Sequence, residues 1–416
     1  MRDLRIKTAE WLLPREGSAP EAWACVACDQ FTSQPEYWAK VRELVGDKPG
    51  AVKLIIPESE LEKAEERIPQ IHGEMAAYLK ENILCPAMPE GFILVERTTE
   101  SGVRFGLMAA MDLEGYDYKP GSQSLIRPTE GTIVERIPPR LRVRRGAPVE
   151  LSHVMMLVDD PADTVLGRLQ AKRHSLTKLY DFSLMMGGGH LTGYGVTDAG
   201  DVQAVKEALA GLAQSAENPL LYAVGDGNHS LATAKAYWEE VKAGLSPAQQ
   251  ENHPARFAAA EIVNLHSDAL CFEPIHRVLF GVRSDELLAD IRRYAADRGM
   301  TLEGGEQEIL CVFEKEDMLL AVGHTNQKLA VGTLQTFLDE WLQAHPSVRL
   351  DYVHGEDTVR TLTQAENTVG FLLPAPDKAN LFPAVIQGGV LPRKTFSMGE
   401  AWEKRYYMEA RRIERA

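Results

Sequence analysis

The residues best placed to do chemistry lie in "PLLYAVGDGNHSLATAKAYW", residues 219–238. An apolar run ends at Val224, a turn "GDGNH" follows, and a helix-like segment begins at once. A strand that feeds a tight glycine turn into a helix leaves the first backbone N–H groups of that helix unpaired. Those donors and the helix dipole favour an anion. Gly225, Gly227, Asn228 and Ser230 would then cradle a phosphate. Asp226 could orient a hydroxyl or hold Mg²⁺, and His229 could donate to phosphate or act as acid or base near neutral pH. The plainer account of the same residues has Asn228 capping the helix, Asp226 closing an Asx turn and His229 packing.

Three further stretches carry candidates. In "LIRPTEGTIVERIPPR", Arg127, Glu130, Thr132, Glu135, Arg136 and Arg140 interleave with apolar residues. Arginine forks suit phosphate or carboxylate, and a glutamate there could take a proton from an alcohol; the alternative is a charged surface strand with ion pairs. In "GGVLPRKTF", residues 388–396, Arg393, Lys394 and Thr395 sit on a constrained loop that could clamp an anion, or form an ordinary basic turn. In "ACDQFTSQPEYW", residues 27–38, Asp29 and Gln30 follow a strand-like run, where a site is often found. "TSQPEYW" is also a helix start, with Ser33 as cap and Glu36 three residues on. Cys25 and Cys28 form a lone CxxC and read as core thiols. His229, His266 and His276 have no recognised metal-ligand spacing.

The elements that must position these residues mix strand and helix. "AVKLIIP" (51–57), "GFILVERT", "VRFGLMAAMDLE", "HVMMLVDDP" and "HLTGYGVTD" read as strands. Residues 58–82 read as a helix that Pro69 should kink or break, 163–180 as a helix, and "AGDVQAVKEALAGLAQSA" as another. The Gly-, Pro- and Ser-rich stretch from Gly115 to Pro139 holds Tyr116, Tyr118 and Leu125, which suits an ordered, substrate-facing segment. "RIPPRLRVRR" (136–145) reads as a solvated strand face or an anion site. From residue 284 helices and strands alternate cleanly. The expected division is 1–283, carrying the "GDGNH" and "LIRPTEGT" motifs, and 284–416, an α/β region carrying the "LPRKTF" loop, possibly packed as one unit with the core.

Bulk composition bounds the rest. The 416 residues exceed what one small core needs, and 60 acidic against 45 basic residues give a formal charge of −15, which repels nucleic acid. Five cysteines do not make a disulfide framework, and no apolar run approaches the ~18 residues a membrane span demands. A cytoplasmic protein without a membrane or nucleic-acid partner is expected; nothing in the sequence bears on oligomeric state.

As a set, "CDQFTSQPEYW", "EGYDYKPGSQSLIRPTEGTIVERIPPR", "GDGNHSLATAK", "EPIHR" and "LPRKTF" resemble the DUF1015 family. The "GDGNHS" block also resembles the D-G-H-H-R box of the ParB/sulfiredoxin-like nucleotide-binding fold, which includes free-serine kinases. Asp226, Gly227 and His229 match that box, Asn228 replaces its first His, and Ser230 replaces its Arg. The missing cation would have to come from Arg127 or from Arg393 and Lys394. The resemblance implies an α+β (mixed α/β) fold with a ParB/sulfiredoxin-like core and an added α/β C-terminal region. It also implies phosphoryl transfer on a small hydroxyl metabolite, serine or phosphoserine, with Mg²⁺ and ATP or ADP. In that scheme Asp226 binds metal or positions the nucleophile, Glu130 or Asp29 is the base, and His229 steadies the transferring group. A non-catalytic nucleotide or metabolite sensor and a metal-dependent hydrolase are the alternatives.

Overall fold

The computed structural model describes residues 3–32, 34–119, 121–213 and 219–414. They form two compact units, Met1–Cys271 with Gly399–Ala416, and Phe272–Met398. The division therefore departs from 283/284. The strand Phe272–Phe280 belongs to the second unit, and the chain rejoins the first after Met398, where Ala410 pairs with Leu12 and Leu151.

The first unit holds a nine-stranded mixed sheet. Its strands are β1 (Ile6–Lys7), β2 (Phe92–Thr99), β3 (Gly102–Asp112), β4 (Ile126–Pro128), β5 (Met155–Val158), β6 (Thr177–Ser183), β7 (His190–Val196), β8 (Tyr222–Asp226) and β9 (Phe257–Asn264). Their order is β4-β8-β5-β9-β3-β2-β7-β6, with β1 on β3. The centre is tight because small residues face each other: Ala109 pairs with Ala260 and Ala110 with Ala259. The longer helices that accompany the sheet are α1 (Pro35–Val45), α2 (Ala64–Lys80), α3 (Ile137–Arg144), α4 (Ala199–Leu212) and α5 (Asn228–Lys242). Leu231, Ala234, Tyr237 and Trp238 bury one stripe of α5 at helical spacing. β4 and β8 run parallel, so Pro128 and Asp226 end on the same sheet edge. Thr129 locks that edge, donating its N–H (3.3 Å) and its hydroxyl (2.8 Å) to Val224 O.

Several elements differ from expectation. "AVKLIIP" is no strand; Ala51–Lys53 is a 3₁₀ turn, and the run is apolar because it is buried. The helix of 163–180 is confined to Gly167–Lys172, and from Thr177 the alternating pattern of Leu179, Tyr180 and Phe182 makes β6. α2 carries Pro69 within it without ending. "RIPPRLRVRR" is mainly α3, not a strand. Its arginines are paired: Arg136 and Arg140 with Glu58, Arg142 with Glu65, Arg144 with Glu150 and Arg145 with Glu240. Each arginine of the run thus faces a carboxylate. Ser33, the expected cap of α1, lies outside the described residues, and Gln34 holds the N-cap position without a side-chain bond.

The second unit is built on an antiparallel sheet of β10 (Phe272–Phe280), β11 (Gln307–Val312), β12 (Asp317–Val322), β13 (Arg349–His354), β14 (Thr368–Leu372) and β15 (Phe396–Met398). Its order is β12-β11-β14-β10-β13, with β15 also on β10. Helices α6 (Ser284–Asp297), α7 (Ala330–Ala344), α8 (Glu356–Leu362) and α9 (Lys378–Gly388) complete it, around Leu279, Ile309, Cys311, Leu338 and Phe371. The whole is mixed α/β, as the sequence led one to expect. Among the described residues no helix is long and apolar enough to cross a membrane.

Candidate functional site

β8 ends at Asp226, Gly227 turns the chain at φ +78° in the left-handed region, and α5 starts at Asn228. A Cβ at Gly227 would lie 3.0 Å from Val154 Cα and 3.4 Å from the His153 ring, so the turn is pressed against those two residues. The capping account fails here. The helix has no side-chain cap, and Asn228 Oδ1 is buried without a partner among the described residues. The first N–H bonded back along the turn is that of Leu231, to Gly227 O at 3.0 Å. The N–H groups of Asn228, His229 and Ser230 precede it and are the open donors of the helix start. Asp226 Oδ1 accepts the N–H of Gly227 at 3.0 Å, which is not the Asx turn proper, and its buried Oδ2 makes no hydrogen bond.

The tail of the chain furnishes what faces that turn. Ala27 donates its N–H to Arg405 O (2.9 Å) and Tyr407 donates to Cys25 O (2.8 Å), a short pairing that lays the tail along the segment before Asp29. Lys404, only 7% exposed, thereby brings its Nζ to 3.7 Å from Asp226 Oδ2. Tyr407 donates its hydroxyl to His153 Nδ1 (2.7 Å) and accepts the N–H of Cys28 (3.2 Å). Burial and the nearby Cys28 hold the Tyr407 phenol well above its ordinary pKa, so it stays a donor. The other ring nitrogen of His153, Nε2, stands 3.8 Å from Asp29 Oδ2. Burial pushes the Asp29 carboxyl up, but His153, the Gln30 amide and Lys404 outweigh it and hold it below the usual range. Asp29 is therefore an ionised acceptor at neutral pH.

His229 departs from its expected role as an acid or base near neutral pH. Its Nε2 accepts the backbone N–H of Ile133 at 3.2 Å, so its Nδ1 carries the proton. Burial, then the charges of Arg140 and Arg136, push its pKa down to about 4, against the opposing pull of Glu58 and Asp29. It is a neutral N–H donor. Arg140 and Arg136 are in turn held by Glu58, at 2.8 and 3.8 Å.

The other candidates fall as follows. Glu130 is half-buried just past β4, on the edge where β8 ends, and Thr132 lies beside the buried Tyr116 hydroxyl. Arg127 is buried on β4, paired in register with Ala223. Arg393, Lys394 and Thr395 belong to the second unit. There Arg393 donates to the Tyr352 hydroxyl (2.9 Å), Lys394 sits over the Tyr352 ring at 5.5 Å, and Thr395 donates to Pro392 O (2.6 Å). Buried Arg277 fixes this loop by donating to the carbonyls of Lys394 (2.9 Å) and Arg393 (3.2 Å). Burial pushes the Cys28 thiol up to about 12 and Cys25 higher still, in keeping with inert core thiols. The second unit also has an open cavity of about 430 Å³ lined by Tyr294, Arg298, His324 and Glu340. Its arginine is already paired with Glu340 at 2.6 Å. Sequence reasoning missed Lys404, His153 and Tyr407, none of which lies in a motif beside Asp226.

Residues 12–341 match the family described as "Protein of unknown function (DUF1015)". The chain belongs to this family. No curated protein gives a match of comparable strength to this DUF1015 chain. Among solved structures it is similar to a free serine kinase variant in complex with AMP, at 13% identity and a TM-score of 0.39, covering 71% of this chain and 92% of that one. A conserved hypothetical protein from Pyrococcus furiosus gives 13% identity and a TM-score of 0.34 over 73% of this chain and 90% of that chain. SbnI from Staphylococcus aureus, truncated at its C-terminus, gives 9% and 0.37 over 70% and 82%.

Asp226 has one oxygen on its own turn and the other facing an ammonium, and among the described residues no group of three His, Cys, Asp or Glu could hold a metal ion. These residues do not fit a resident divalent cation. A phosphate fits better, since N–H donors and the Lys404 ammonium gather around one turn.

Proposed function

We propose that this chain transfers a phosphoryl group to or from the hydroxyl of a small metabolite, with serine and phosphoserine the first pair to test. One observation carries the reading: the uncapped start of α5 lies beside an ionised carboxylate, a histidine N–H and a buried ammonium. His153 Nε2–H orients the substrate hydroxyl, and Asp29 accepts its proton as the new O–P bond forms and the bond from phosphorus to the leaving oxygen breaks. The N–H groups of Asn228, His229 and Ser230 and the ammonium of Lys404 carry the charge on the transferring group, with the neutral His229 ring as a further donor. Asp226 holds Lys404 in place. Glu130, on the same sheet edge, is the second carboxylate of the site. ATP or ADP is the donor to offer, supplied with Mg²⁺ that would arrive on the phosphates as part of the substrate.

Phosphorus NMR of the purified protein decides this, with serine plus ATP or ADP and Mg²⁺ in one tube and phosphoserine alone in another. New phosphoserine, or free phosphate from phosphoserine, is expected, and Asp226→Asn should abolish it. Spectra unchanged in both tubes sink this substrate pair. One observation favours a non-catalytic sensor as the second reading: His229 Nε2 is committed to Ile133, so the residue best suited to proton transfer at neutral pH is spent on structure. A sensor would bind the phosphorylated ligand and leave it unchanged.

A further inference from the structure

Arg127 is a buried cation of the first unit with two guanidinium nitrogens that find no partner among the described residues. The residue is 2% exposed. Its Nη1 donates to Ser122 O at 2.9 Å, but Nε and Nη2 are buried and make no hydrogen bond among the described residues. Burial pushes its pKa below the ordinary value, and no carboxylate pulls it back. Compare Arg405, whose buried guanidinium meets Glu261 at 2.5 Å and also Glu409. An unpaired buried charge is strongly unfavourable in general, and chains avoid it unless something else compensates.

The two idle groups share one edge of the guanidinium. Elsewhere in this protein that same edge binds carboxylates side-on. Arg256 gives Nε and Nη2 to the two oxygens of Asp112 at 2.9 and 2.7 Å, and Arg145 gives them to Glu240 at 2.8 and 2.5 Å. Arg283 does the same to Asp285 at 3.2 and 2.7 Å. The fork of Arg127 is thus the one among these four that is aimed at nothing in the described chain.

We propose that Arg127 is the receptor for the carboxylate of a small-molecule ligand, bound through Nε and Nη2. A carboxylate suits better than a phosphate. One guanidinium balances one charge, whereas a phosphate dianion would remain under-compensated beside the Ser122 carbonyl, which repels it. The inference stands apart from the phosphoryl-transfer reading; where both hold, the substrate is a hydroxy acid or a hydroxy amino acid.

Formate is the probe, because it is the smallest carboxylate and needs no turnover. Thermal melting of the full chain is followed in sodium formate, sodium chloride and sodium phosphate at equal ionic strength. In the wild type, formate should raise the melting temperature saturably above chloride, and more than phosphate does. Arg127→Met should remove the formate-specific rise while melting in chloride no lower than the wild type, since a buried uncompensated cation has been deleted. Arg127→Lys, which keeps the charge and loses the fork, should weaken formate binding by about 10- to 100-fold. A formate effect equal in all three proteins, or absent from the wild type, overturns the proposal. So does phosphate stabilising more than formate, or an Arg127→Met protein that melts well below the wild type in chloride.

Discussion

Lys404 gathers more of the proposed chemistry than any residue in the obvious motifs. It is buried, its Nζ stands 3.7 Å from Asp226 Oδ2, and its charge helps keep Asp29 ionised. Replacing it with Met should weaken binding of a phosphorylated ligand by about 10- to 100-fold, as loss of a charge-assisted contact does. The unphosphorylated form should be affected far less; titration calorimetry with both would show the difference, and equal losses would place Lys404 outside the phosphate site. His229 sets a pH dependence. Its folded pKa of about 4 lies below the ordinary histidine value of 6.5, so the unfolded chain binds more protons between those values. Stability from this group is full above pH ~6.5 and falls as pH drops through the window, levelling off below about 4. His276, also pushed to about 4 by burial, adds to the same window. Melting temperatures from pH 7 to 4 should decline less steeply in His229→Gln, and parallel curves would contradict the assignment. At this scale the turn was legible, because a glycine between a strand and a helix, free to take the left-handed region closed to other residues, marks the turn. Lys404 was not, since nothing local ties it to Asp226.

The strand–turn–helix of β8 and α5 rests on a single backbone position. At φ +78° an alanine is strained by roughly 1–2 kcal/mol, and its Cβ would meet Val154 Cα at 3.0 Å, which cannot swing aside. Gly227→Ala should therefore lower stability by at least that amount and displace the N–H groups of Asn228 to Ser230. Circular dichroism would report the first effect and ligand titration the second; a variant unchanged in both would show that the turn tolerates an ordinary residue. Elements with a repeating pattern were readable in advance: β2, β3, β7, α4 and the run from α6 to β13, with β14, follow their periodicity, while the short helix α8 between β13 and β14 was not anticipated. Those that failed did so for a common reason. "AVKLIIP" and 163–180 are apolar or mixed because of where they are buried, and burial does not reveal whether a segment also joins a ladder.

Across the molecule, the return of the tail is held by charge as well as by strand pairing. Buried Arg405 bonds Glu261 at 2.5 Å, Glu409, and Ser152 O at 3.0 Å, while Arg104 stands 3.9 Å from Glu261. Arg411 adds two bonds to Glu150, at 2.8 and 3.0 Å. Removing one side of such a buried pair costs about 3–5 kcal/mol, so Arg405→Met should lower the melting temperature sharply. A change near zero would mean that Glu261 finds water or repacks. The division into units was the least readable feature, because the second unit interrupts the first and only the late pairing of Ala410 with Leu12 and Leu151 reveals it.

That interruption has a consequence in time. A ribosome releases Asp29, His153 and Asp226 well before Lys404, and the whole of Phe272–Met398 must emerge in between. A nascent chain can shape the sheet early yet cannot complete the proposed phosphate cradle until translation has passed the tail. On the proposed function, a chain that stops short of Lys404 is born without it, however well its sheet has folded.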